Sequence, residues 1–238
     1  MLFVANINGD ATEKDGNGFI SQLGTDGHTI KLEWATGLDA PKGMGLCADK
    51  LYVSDIEQVV EIDPETGTIL HKYQAEGAKF LNDITIAKDS SVYISDMMTN
   101  RIYRLKNGKM EMWLEDETLN KPNGLWAENG QLLVGSRNSI LKVDMKTKAI
   151  SEFIGNTGGI DGLVSSNDGN YLITDWKGTT QLVSEVEEPV VLANTSDEKV
   201  NAADLDYDPD TQMFYIPTFN DNRVRAYRLM TTKPKDGR

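Results

Sequence analysis

Five residues recur at near-constant spacing along the chain: Lys42, Asn82, Asn123, Asp161 and Ala203, separated by 40, 41, 38 and 42 positions. Each stands just ahead of a short apolar run. The contexts are Pro41-Lys42-Gly43-Met44, Leu81-Asn82-Asp83-Ile84, Pro122-Asn123-Gly124-Leu125, Ile160-Asp161-Gly162-Leu163 and Ala202-Ala203-Asp204-Leu205. Amide and carboxylate oxygens such as those of Asn82, Asn123 and Asp161 are hard donors, suited to Ca²⁺ or Mg²⁺ once brought to one point. A metal so held polarises a carbonyl and lowers the pKa of a bound water. The competing explanation is turn chemistry, since Asn and Asp begin strands by bonding nearby backbone. Three such residues in register on consecutive repeats favour function. Lys42 has two readings: a contact to an anionic substrate group, or a lysine paired with a carboxylate such as Asp83 or Asp204.

The elements that must position these residues are also repeated. Leu51-Tyr52-Val53-Ser54-Asp55 recurs as Val92-Tyr93-Ile94-Ser95-Asp96, Leu132-Leu133-Val134-Gly135-Ser136 and Leu172-Ile173-Thr174-Asp175. Looser copies are Phe214-Tyr215-Ile216-Pro217-Thr218 and Leu2-Phe3-Val4-Ala5-Asn6. The terminal polar residues step by 49, 41, 40, 39 and 43, the long first step absorbing a polar insertion from Gly9 to Gly18. Alternating β-branched and aromatic residues, bounded by Asn-Gly, Pro and Asp signals, read as antiparallel hairpins. Four short strands per repeat, six times over, predict an all-β, six-bladed β-propeller. The expected blades are 1–38, 39–78, 79–117, 118–157, 158–196 and 197–230, followed by a flexible basic tail over 231–238.

In such a fold the innermost strand of every blade lines a central channel, so equivalent positions form a ring. Counting the same register back from Asn6 places the first blade's ring residue before Met1. The sixth blade ends after Arg223-Val224-Arg225-Ala226-Tyr227-Arg228-Leu229. The expectation is therefore that the first inner strand and the closing strand precede Met1.

Asn-Asp before a strand at Asn82, Pro-Asn-Gly-Leu at Asn123 and Asp-Gly-Leu at Asp161 resemble the gluconolactonase/regucalcin family, at blade level over essentially the whole chain. The resemblance implies a divalent metal at the channel top, Ca²⁺ first and Mg²⁺ or Zn²⁺ as alternatives, with no organic cofactor. It implies that Asn82, Asn123 and Asp161 act as metal ligands or substrate positioners, with Asp161 also the catalytic carboxylate that activates water. The family's first-blade Glu ligand has no counterpart in this sequence.

Composition removes other classes. A net charge of −13 repels phosphate backbones, which argues against nucleic-acid binding. Cys47 is the only cysteine, so no internal disulfide or thiolate cluster is expected. His28 falls in a Gly-His-Thr turn and His71 on an outer strand, so histidine-based chemistry at the ring is not expected. Asp204, Asp206, Asp208 and Asp210 alternate but lack the Gly and Glu of a calcium loop. The insertion from Asp10 to Asn17 reads as a solvated loop, and Trp126 and Trp176 read as core between blades. No apolar run is long enough to cross a bilayer. The expected location is the cytoplasm, or the periplasm or exterior if a preceding segment carries a signal peptide.

Two functions follow. The first is a metal-dependent hydrolase of lactones or small esters, taking a small-molecule substrate at the channel top. The second is a non-catalytic propeller binding a ligand or partner protein, since Asn100-Arg101-Ile102 and Asn222-Arg223-Val224 resemble turns of NHL-repeat propellers.

Overall fold

A computed structural model describes residues 1–167 and 169–230, and the expected basic tail lies outside them. The chain folds into six antiparallel sheets set around one axis, a six-bladed β-propeller. The first sheet holds β1 (Leu2–Asn6), β2 (Gly18–Leu23) and β3 (Thr29–Leu38). The second holds β4 (Pro41–Cys47), β5 (Lys50–Asp55), β6 (Gln58–Ile62) and β7 (Ile69–Gln74). The third holds β8 (Leu81–Ile86), β9 (Val92–Asp96), β10 (Arg101–Lys106) and β11 (Lys109–Glu115). The fourth holds β12 (Leu125–Glu128), β13 (Gln131–Gly135), β14 (Ser139–Asp144) and β15 (Ile150–Gly155). The fifth holds β16 (Leu163–Asn167), β17 (Asn170–Thr174), β18 (Thr179–Ser184) and β19 (Val190–Asn194), and the sixth β20 (Asp206–Asp208), β21 (Met213–Pro217) and β22 (Val224–Arg228).

β1 pairs with β2 as β5 does with β6 and β9 with β10, so the first sheet contains the second to fourth strands of a blade. The sixth contains the first to third.

Blades are held to one another by apolar packing. Five core clusters fill the five interfaces from the first blade to the sixth. Ile20, Trp34 and Leu38 of the first blade pack on Leu51, Val53 and Ile62 of the second. Leu172 and Val164 of the fifth pack on Phe214, Ile216 and Leu229 of the sixth. Each such side chain contributes roughly 1.5–3 kcal/mol by leaving water. Trp126 lies half-buried between the fourth, fifth and sixth blades, as expected.

The repeated terminal polar residue has a structural task. Asp55 at the end of β5 accepts the amides of Asp39 and Ala40, which lead into β4. Asp96 at the end of β9 likewise accepts the amides of Lys79 and Phe80, which lead into β8. These carboxylates, both about fully buried, fix the segment that carries each ring residue.

Candidate functional site

The five ring positions fall in one register. The amides of Asn123, Asp161 and Ala203 donate to the carbonyls of Gly135, Thr174 and Pro217, each one residue before the terminal polar residue of the neighbouring strand. Pro41 and Leu81, just before Lys42 and Asn82, pair with Asp55 and Asp96. All five positions therefore ring the channel at one height.

Glycine sets how close the inner strands come. A Cβ on Gly43 would meet Asn82 O at 2.5 Å, one on Gly124 would meet Leu163 N at 2.8 Å, and one on Gly162 would meet Leu205 N at 2.7 Å. Neighbouring blades thus touch backbone to backbone immediately after the ring residue. In the third and sixth blades that register position carries Asp83 and Asp204 instead. Sequence reasoning missed both as members of the site. The available signal was an aspartate standing where the other three blades carry glycine.

Asn123 is 7% exposed, and its side-chain amide donates to the Asp161 carboxylate on the next blade. Two of the three expected ligands therefore meet directly. Asp161 also accepts the backbone amide of Asp204. Asn82 is half-buried on β8, and its carbonyl accepts the Ser54 hydroxyl. Asp83 is 7% exposed, and its carboxylate accepts the amides of Ile84 at 2.7 Å and Leu125 at 2.5 Å. Asp204 accepts the amide of Leu205 at 2.7 Å and adopts φ 71°.

The electrostatics of this cluster are unusual for aspartates. Burial pushes the Asp161 carboxyl up to about 6 and the Asp204 carboxyl up to about 7, although both keep some surface open to the channel. Burial also drives Asp83 well above the ordinary range, reinforced by the charges of Asp204 and Asp161. Three carboxylates from three blades thus lie within reach of one another's field, with their ionised forms disfavoured.

Lys42 departs from the expected pairing. Its ammonium donates to the carbonyls of Ala11 at 2.9 Å and Ala40 at 2.8 Å, and lies 4.5 Å from the centroid of the Phe80 ring. Neither Asp83 nor Asp204 is its partner. The carbonyl of Ala11, supplied by the polar insertion, captures the side chain, while burial pushes its pKa down to about 8. The ring's one lysine therefore leaves the carboxylates without a cation among the described residues.

Trp176 also departs from its expected core position. It is 45% exposed and meets Phe219, 38% exposed, edge to face with centroids 4.8 Å apart. His28 is exposed in a hairpin turn beside Asp26, and His71 is exposed on β7. The Asp10–Asn17 insertion is almost wholly exposed and stitched by its own Asp10 and Asp15 side chains.

The oxygen-only donor set fits a hard divalent cation in chemistry and in charge. Among the described residues no three His, Cys, Asp or Glu side chains are grouped to hold a metal ion. A cation here would therefore take amide oxygen from Asn82 and Asn123 beside the Asp161 carboxylate.

No protein-family model matches the chain, and no curated protein matches it in sequence. Solved structures do resemble it in fold. A catalytically inactive virginiamycin B lyase from Staphylococcus aureus, crystallised with quinupristin after a histidine-to-alanine change, aligns at TM-score 0.66 and 13% identity, over 89% of this chain and 73% of that one. A selenomethionine form of the same lyase aligns at 0.61 and 15%, over 97% and 90%. A nidogen/laminin complex aligns at 0.63 and 14%, over 90% of both chains. At such identities the likeness is one of fold, and it shows a propeller.

Proposed function

We propose that the channel mouth is the active site of a divalent-metal-dependent hydrolase acting on lactones or small esters, as the gluconolactonase-like ring motifs imply. The observation that carries this reading is the contact between Asn123 and Asp161 within a cluster of buried carboxylates that, among the described residues, no protein cation neutralises. Asn82, Asn123 and Asp161 would hold the metal, Ca²⁺ before Mg²⁺ or Zn²⁺. When bound, the cation supplies Lewis acidity toward a carbonyl oxygen. The chain's own residues supply the rest. Asn123 would orient the Asp161 carboxylate, and Asp161 would take a proton from an attacking water. Asp83 is tied to Ile84 and Leu125 through both oxygens, so its part is to fix the ring and add negative potential.

A lyase and a nidogen/laminin complex share this fold. The lyase variant lost activity with a histidine, and this chain's two histidines both lie on its exterior, so that chemistry does not carry over.

The test is turnover of a lactone and ester panel with added Ca²⁺, in wild type and Asp161→Asn, alongside calorimetric metal titration. The expected result is loss of at least about a hundredfold in activity, as for other general bases, with the folded state unchanged. Wild-type turnover by the variant would overturn the reading. Inactive wild type without metal affinity would favour a propeller that binds a ligand or partner protein.

A further inference from the structure

A second feature stands beside the ring on the same face. Strand β17 ends at Thr174, whose carbonyl accepts the amide of Asp161. Asp175 follows, and its charge reaches the Asp161 carboxylate; the next residue is Trp176. On the neighbouring blade the amide of Ala203 donates to Pro217, two residues before Phe219. The aromatic pair therefore stands directly outside ring positions Asp161 and Ala203. At Ala203 the ring carries only a methyl group, the smallest side chain of the five ring positions.

The pair is held in place. The Trp176 carbonyl accepts the Asn201 side-chain amide at 2.8 Å, and Asn201 accepts from Asn220 at 3.1 Å. Phe219 adopts φ 46°, a left-handed conformation that an aromatic residue rarely takes. It is kept there by Thr218, 1% exposed, whose hydroxyl donates to the carbonyl of Arg223 and accepts its amide, both at 3.0 Å. Two large aromatic faces left in water, one on a disfavoured backbone, are not explained by packing. Aromatic groups prefer edge-to-face or offset partners with centroids 4.5–7 Å apart, so another aromatic ring is the chemistry that two exposed faces of this kind would take.

Resting on the hydrolase reading for the reacting centre, we infer that Trp176 and Phe219 form a substrate platform, and that the preferred substrate is a lactone or ester carrying a flat apolar ring next to its acyl group. A polyhydroxylated sugar lactone is the disfavoured class, because this wall offers aromatic carbon where hydroxyls would need donors and acceptors.

Binding is measured on the Asp161→Asn protein, so that turnover does not interfere, with a phenyl-substituted γ-lactone, γ-butyrolactone and an aldonolactone as probes. Of the four tryptophans, Trp34 and Trp113 are buried at 6% and 4% exposure and Trp176 is the exposed one, so quenching of red-shifted emission reports on the platform. The expected result is quenching by the phenyl lactone alone. By calorimetry, its affinity should fall about tenfold in Trp176→Ala and in Phe219→Ala, as loss of an aromatic contact predicts. In the hydrolase itself, the ratio of phenyl-lactone to butyrolactone kcat/KM should fall by a similar factor. Quenching with no turnover of any lactone by wild type would remove the hydrolase reading and leave the platform standing. Equal affinity for the aldonolactone, or phenyl-lactone affinity unchanged in both variants, would overturn the platform.

Discussion

Asp83 accepts the backbone amide of Leu125, one blade further on, at 2.5 Å. The bond makes a carboxylate the strap between the third and fourth inner strands. It also places that carboxylate in the field of Asp161 and Asp204. The group that joins the blades is therefore one that burial penalises for being charged.

The penalty predicts an inverted pH dependence. A group with a raised folded-state pKa contributes stability that is complete below its unfolded value and is lost as pH rises through the folded one. For Asp161 and Asp204 the window runs from the ordinary aspartate value near 3.8 up to about 6 and about 7. In chelator-treated buffer, urea midpoints of wild type should fall between pH 5 and pH 7.5. Asp204→Asn should flatten that fall by on the order of 1–2 kcal/mol, discounted for channel water. Identical slopes in the two proteins would refute the carboxylate origin of the effect.

Inner-strand glycines make a second prediction, about stability alone. In Gly124→Ala the new methyl would meet Leu163 N at 2.8 Å and Asp161 O at 2.9 Å, both main-chain atoms that cannot rotate away. The fourth and fifth blades must separate, at about 3 kcal/mol for overpacking. Gly159→Ala is the control, since its nearest neighbour would be Arg137 O at 3.7 Å and its cost should stay within about 0.5 kcal/mol. Denaturant midpoints of the two variants decide the matter.

The parts legible in the sequence are those the repeat encodes. Period-2 alternation ending in Asp55 and Asp96 announced the second strands, because each aspartate must cap the amides entering the next inner strand. The ring register was legible through Asn82, Asn123 and Asp161 for the same reason. What the repeat does not encode is contact across it. Asp83 and Asp204 lie on blades opposite one another, and their coupling depends on channel width, which no spacing reports. One of the two readings of Lys42 paired it with those carboxylates, but the Ala11 carbonyl arrives from an insertion outside the repeat. Trp176 follows an anchor position as a core aromatic could, and only the path of its loop leaves it in water.

Asp96 offers a third prediction. It is fully buried and accepts the amides of Lys79 at 2.8 Å, Phe80 at 3.2 Å and Met98 at 3.0 Å. Asp96→Ala strands those donors and should cost about 3 kcal/mol. Asp96→Asn keeps one acceptor oxygen and should lose distinctly less. Because Phe80 leads into Asn82, hydrogen exchange should quicken first over residues 79–83 in the alanine variant; uniform acceleration across all blades would contradict a local role.

Lys42 supplies the last prediction, which separates a structural lysine from a substrate contact. Burial lowers its pKa to about 8 while the charges of Asp55 and Asp10 work in the opposite direction. A lysine depressed in the folded state costs stability while charged, and that cost lifts as pH rises from about 8 toward its ordinary value of 10.5. Lys42→Met keeps the apolar stem but removes the donors to Ala11 and the fully buried Ala40. It should lose about 1–2 kcal/mol at pH 7 from the stranded carbonyls. The wild-type advantage should then grow between pH 8 and pH 10, read as the difference in urea midpoints. A lysine that held an anionic substrate would instead raise KM in the variant and leave both midpoints where they were.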